Sequence, residues 1–329
     1  MKRTVNLTKV SFAVLAIALV IIAGCSGNGS ATGNIMAQGS GQQAVGQSQA
    51  VKSQPGNIEI KGSDTLLQMV SNMAEAYQAI SPEVRISVTG GGSGTGIAAL
   101  INGEIPIADA SRPIKAEELK QAADKGMQVQ EFSIARDMLS VIVNKDNPVE
   151  GLTMEQLSKI FKGEITSWKE LGGEDKQISL YGRQSTSGTY AFFMEHVVQA
   201  DYSPKMMNME GNQAIIDAVK QDKSGIGYAG IGYLLDESGK PIPGVKIVPI
   251  ASDENSEYIT PLDQSKLEEY PVSRVLYQYF ANPPTKGSEL HKFLLFELSE
   301  QGQGIVEKSG YIRLLPGDKE KNDALLARI

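Results

Sequence analysis

One cysteine, Cys25, and two histidines, His196 and His291, are all that the 329 residues offer to thiol or imidazole chemistry. A lone cysteine closes no disulfide within the chain. With so few soft ligands, a Cys/His zinc site is excluded and no metal or cofactor is expected. Basic charge is also scarce: 31 Lys and Arg stand against 38 Asp and Glu, a net charge of −7. That balance argues against a nucleic-acid surface or a polybasic membrane patch, so any bound anion must be held by local geometry. The apolar run Val10 to Ala23 is short of the roughly 20 residues that span a bilayer.

What is there begins with an address. Lys2, Arg3 and Lys9 precede that apolar run, which reads as an export signal. It ends in Ile22-Ala23-Gly24-Cys25, which resembles the lipobox of bacterial lipoproteins, with Ile22 where Leu is usual. The resemblance implies cleavage after residue 24 and lipidation, as with palmitate, at Cys25, leaving an exported chain of charge −10 after loss of three basic residues. Residues 26–56 hold seven Gly, five Ser and six Gln with Lys52 as the only charge. Such a segment is a flexible tether with a reach of about 30 Å.

From Ile58 onward, short apolar runs alternate with helix-period segments, the pattern of α/β architecture. Strands are expected at 58–61, 85–89, 105–109, 129–132, 139–144, 178–181, 226–229 and 245–249, with helices between them, including one over 272–281. Polar breaks at 144–148 and 239–244 bracket an α/β block and suggest two lobes joined by two crossings. The expected division is a signal peptide 1–24, a tether 25–56, one lobe from 57–143 and 246–329, and a second lobe from 144–245.

Three loops follow strands and precede helices: Gly62-Ser63-Asp64-Thr65, the glycine-rich 90–96, and Arg183-Gln184-Ser185-Thr186-Ser187-Gly188-Thr189. Hydroxyls and free amides at a helix start make an anion site, although each loop could also serve as a helix cap. The third loop is the most specific, because Arg183 adds a fixed fork of donors. Ser111-Arg112-Pro113 supplies a further donor cluster.

These motifs in this order, with Ile165-Thr166-Ser167-Trp168 and Tyr270-Pro271-Val272-Ser273-Arg274, resemble the phosphate-binding lipoproteins of phosphate ABC importers. The resemblance implies a two-lobed type II periplasmic-binding-protein fold with two hinge crossings. It implies a Thr65 hydroxyl, the Leu66 amide and a Ser93 hydroxyl from one lobe, and Arg183, Ser187, Gly188 and Thr189 from the other. Its implied partners are inorganic phosphate and the importer's permease subunits, with a membrane contact through the lipid anchor, as a monomer at the outer face of the membrane or in the periplasm.

One position departs from the family: Ser111 stands where its best-known branch has an aspartate that accepts the proton of hydrogen phosphate. Asp137 is the expected replacement acceptor, with Asp64 behind it and a surface or hinge role as the alternative for Asp137. Arg112 is expected to join Arg183 on the anion. Without an acceptor, another oxyanion such as sulfate becomes the rival ligand. A sensor uncoupled from transport is the other rival. Catalysis by Ser93 or Ser187 is not expected: neither lies in G-x-S-x-G or begins S-x-x-K, and His196 falls too far along its helix to serve as base.

Overall fold

The computed structural model describes residues 56–329, so Cys25, the export signal and all but the last tether residue lie outside the described residues. The chain lays down β1 (Asn57–Gly62), α1 (Leu67–Ile80), β2 (Arg85–Thr89), α2 (Ser93–Ile101), β3 (Ile107–Ala110), α3 (Ala116–Asp124) and β4 (Gln130–Met138). After Leu139 it continues through β5 (Ser140–Asn144), β6 (Leu152–Thr153), α4 (Met154–Lys162), β7 (Ser179–Arg183), α5 (Gly188–Phe193), β8 (Met207–Met209), α6 (Gly211–Gln221) and β9 (Gly225–Ala229). The rest is β10 (Val245–Val248), β11 (Ile250–Ala251), β12 (Ser273–Phe280), α7 (Glu289–Leu298), α8 (Glu300–Lys308) and α9 (Pro316–Leu326). None of the described helices is long and apolar enough to cross a membrane.

Ten of these strands form two five-stranded sheets, ordered β2-β1-β3-β12-β4 and β10-β5-β9-β7-β8, and β6 and β11 pair in parallel as a third, two-stranded sheet. In the first, β1 runs parallel to β2 and β3, while β12 runs antiparallel to β3 and β4. In the second, β7 runs parallel to β8 and β9, and β5 is antiparallel to β9 and β10. Helices bury one stripe against each sheet. On α1 the stripe is Met69, Val70, Met73, Ala74 and Tyr77, a helical repeat that packs with Ile58 and Ile60 of β1. On α4 it is Leu157, Ile160 and Phe161, set by a capping box of Thr153 and Gln156 and stopped by left-handed Gly163.

Two expectations are corrected here. The segment 272–281 is not a helix but β12, wedged between β3 and β4, with Arg274, Leu276 and Gln278 buried at every second position. That alternation has period two, and the aromatic and β-branched side chains suit a pleated surface better than a helix. The sheet boundary also moves. Residues 141–143 and 246–248 pair with each other in the second sheet, so the chain leaves the first sheet at Leu139 and returns between β11 and β12. The polar break after Asn144 ends a strand, whereas the crossing at Leu139 is fully buried and carries no polar signature.

Candidate functional site

The first two loops end β1 and β2, and a backbone bond from the Ser63 amide to the Asp109 carbonyl (2.9 Å) draws the 62–65 loop onto β3. Gly92 precedes α2 with φ +94°, and a Cβ there would stand 2.5 Å from the Thr186 carbonyl oxygen. The loop therefore needs glycine to lie flat against the 184–189 loop. A bond from the Gly94 amide to the Thr186 carbonyl (2.9 Å) joins the same two loops, one from each sheet's half of the molecule. Gly188 is as tightly constrained: a Cβ would fall 2.2 Å from Ser93 Oγ and 2.8 Å from Ser111 Oγ.

Four buried hydroxyls converge at this contact. Thr65 Oγ1 lies 3.0 Å from Thr189 Oγ1, Thr189 Oγ1 lies 3.3 Å from Ser111 Oγ, and Ser111 Oγ lies 3.4 Å from Ser93 Oγ. The Ser111 amide donates to Ser93 Oγ at 3.1 Å. Ser187 caps α5 by accepting from the Tyr190 amide, which leaves the Gly188 and Thr189 amides at the helix start with no carbonyl of that helix to bond.

Arg183 closes β7 beside these loops and is 1% exposed. Its Nη2 donates to Asp64 Oδ2 at 2.5 Å, while Nε and Nη1 are buried and have no partner among the described residues. Asp64 is held in turn by the Gly91 amide on Oδ1 (2.9 Å). The Arg183 backbone amide donates to the Tyr228 hydroxyl, and burial pushes that phenol up to about 12, so it remains neutral. Buried N–H groups of a guanidinium rarely go unsatisfied, and two such nitrogens on loops that also carry four buried hydroxyls make a donor-rich patch suited to an oxyanion.

Thr65, Ser93, Ser111 and Thr189 thus come together, Gly188 abuts them, Arg183 reaches the 62–65 loop through Asp64, and Ser187 caps α5. Three expected residues do otherwise. Arg112 forms a two-pronged pair with Glu118 (2.8 and 2.7 Å) and also donates to the Pro113 carbonyl. Burial opposes the Glu118 charge, but Arg112 and the Lys115 amide hold its carboxyl below the usual range. The Leu66 amide donates to the Ser63 carbonyl at 3.1 Å.

Asp137 is fully buried and accepts from Arg274 Nε (2.9 Å) and Nη2 (2.7 Å) on Oδ2 and from the Ile231 amide on Oδ1. It is therefore the counterion of Arg274, accepts three bonds in all and has no exposed edge, which leaves it a less available acceptor than Asp64 with two. Sequence reasoning missed that arginine's part. Arg274 Nη1 donates to Thr189 Oγ1 (3.0 Å) and to the Ser111 carbonyl (3.1 Å), and its guanidinium lies 5.3 Å from the centre of the Phe192 ring. An alternating reading of 272–281 would have placed Arg274 on a buried face. His196 stacks on Phe192 and sets Nδ1 3.1 Å from the Phe192 carbonyl oxygen.

Two sheets carrying a donor-rich patch between their loops define a two-lobed solute-binding protein. A model described as a PBP superfamily domain matches residues 38–301. The chain is 36% identical over 276 residues to the phosphate-binding protein PstS of Pseudomonas aeruginosa PAO1, covering 79% of this chain and 83% of that one. To PstS of Staphylococcus epidermidis RP62A it is 34% identical over 262 residues, covering 78% of each. A phosphate ABC transporter substrate-binding protein from Clostridium perfringens, solved with bound phosphate, superposes with a TM-score of 0.68 at 31% identity. That match covers 79% of this chain and all of the other. An ABC-type phosphate transport receptor from Vibrio cholerae gives 0.61 at 28%, covering 78% of this chain and all of that one. The chain belongs to the PstS family of phosphate-binding proteins and has the type II periplasmic-binding-protein fold.

Proposed function

We propose that this chain captures inorganic phosphate between its two lobes and delivers it to an ABC importer, as the names of its relatives suggest. The observation that carries the reading is Arg183: a buried guanidinium with two nitrogens unpartnered among the described residues, tied through Asp64 to the loops that gather the Thr65, Ser93, Ser111 and Thr189 hydroxyls. Those donors, with the Gly188 and Thr189 amides, surround an oxyanion with hydrogen bonds from both sheets' halves. Closure over the anion brings the 90–96 and 184–189 loops together, and that closed form is what an importer reads. Binding and release need no covalent step, so the protein acts as a carrier and not as an enzyme.

Asp64 takes the acceptor role first given to Asp137. It is the carboxylate tied directly to Arg183, and each of its oxygens has a lone pair beyond the bond it already accepts. Hydrogen phosphate offers a proton to such an oxygen, and sulfate offers none. Lipidation of Cys25 after export, with residues 26–56 as tether, would hold the carrier at the outer face of a membrane as a monomer. Calorimetric titration of the Asp64→Asn chain tests the acceptor: phosphate affinity falls toward that for sulfate, and an unchanged phosphate-to-sulfate ratio contradicts the assignment. Labelling with radioactive palmitate, lost in Cys25→Ser, tests the anchor.

A further inference from the structure

Arg274 reaches the hydroxyl cluster without any direct need to touch an anion. Its Nε and Nη2 are committed to Asp137, and Nη1 is shared between Thr189 Oγ1 and the Ser111 carbonyl. A guanidinium only donates, so Thr189 Oγ1 is an acceptor in that bond and its single proton must point elsewhere. Ser93 has the same arrangement, because the Ser111 amide donates to its Oγ. In the run Thr65, Thr189, Ser111, Ser93, fixed donors therefore fill a lone pair on the second and the last member.

This matters when hydroxyls turn toward an anion. Each bond between hydroxyls uses one proton and one lone pair, and rotating that proton outward costs the accepting oxygen a bond unless a fixed donor also reaches it. Thr189 and Ser93 each keep such a donor. We infer that Arg274 is a positioning residue for the anion site: it directs the Thr189 proton away from itself, setting that hydroxyl as a donor, and it keeps the Thr189 oxygen bonded when the neighbouring hydroxyl protons turn onto the ligand. The inference rests on the oxyanion-binding reading above. Asp137 keeps Arg274 charged and in place and does not accept the ligand's proton.

The test is a double-mutant cycle on the full chain, read by calorimetry with inorganic phosphate. The pair Asp137→Asn and Arg274→Met removes both charges together, so that neither is left buried alone, and a thermal melt checks that it folds; Arg274→Lys, which keeps the charge beside Asp137, is the second variant. The paired change should lower affinity about tenfold in the otherwise wild-type chain and less than twofold in a Thr189→Val background, where no hydroxyl remains to orient. In Thr189→Ser the tenfold loss should return. Arg274→Lys, one ammonium for a three-way fork, should show an intermediate loss that also vanishes with Thr189→Val.

Equal losses with and without the Thr189 hydroxyl, or no loss at all, would overturn the proposal, since a distant charge or a structural brace acts additively. A wild-type chain that ignores phosphate but binds sulfate contradicts the ligand reading alone, and the cycle is then read with sulfate. Binding of neither overturns both.

Discussion

Two buried polar clusters meet on β3, and they are opposites. At its end, around Ser111, the site leaves charged donors over: among the described residues Arg183 Nε and Nη1 are unpartnered, against one neutral acceptor, Gln184 Oε1, in the same loop. Two residues back, Asp109 shares the core with Gln278 and Glu297, and there the unpartnered atoms are Asp109 Oδ1, Gln278 Oε1 and Glu297 Oε2, all acceptors. Gln278 donates to Glu297 at 3.1 Å, and no cation among the described residues pairs with either carboxyl. Burial pushes Asp109 up to about 8, and burial with the nearby Asp109 pushes Glu297 well above the usual carboxyl range. An acceptor surplus in a dry core is met by keeping protons on the carboxyls. A surplus of permanently charged donors has no such recourse and calls for an anion.

The sharpest way to break the comparison is to remove a counterion on the donor side. Asp137→Ala leaves Arg274 buried without its carboxylate and should destabilise the fold by about 3–5 kcal/mol, read from the denaturant midpoint. Arg183→Ala should next weaken phosphate binding by about 2 kcal/mol or more in calorimetry, because it removes the charged fork; wild-type affinity would take Arg183 out of the site. Gly188→Ala drives a methyl against Ser93 Oγ and Ser111 Oγ and should reduce affinity by about 1–3 kcal/mol while the melting temperature changes less.

The smallest effect sharpens the acceptor side. Asp109 is ionised in the unfolded chain above its ordinary value of 3.8 but stays protonated in the fold up to about 8. The unfolded state therefore binds fewer protons across that window, and the stability this group contributes at low pH is lost as pH rises from about 4 to about 8. In Asp109→Asn the fall should flatten, measured by urea midpoints at pH 5 and pH 8.

How much of this was legible depended on where the signal lay. The three loops could be read because Gly, Ser, Thr and Arg between a strand and a helix leave a local trace, and local sequence decides a helix start. Arg274 could not be read in the same way: its role comes from β12 being inserted between β3 and β4, a pairing set by residues more than a hundred positions away. Arg112 looked like a ligand from its neighbours Ser111 and Pro113, but Glu118, one turn into the α3 segment, engages it in a contact that only the fold shows. Asp137 was expected to accept the ligand's proton, but it is the buried counterion of Arg274, a partner that lies across the sheet on the misread strand.

The central claim is that the donor surplus around Arg183 exists for phosphate. Calorimetric titration of the purified, ligand-stripped chain with phosphate and then sulfate tests it most directly. The account predicts one phosphate bound per chain, with sulfate bound far more weakly. Equal binding of the two anions, or no binding of phosphate, would contradict it.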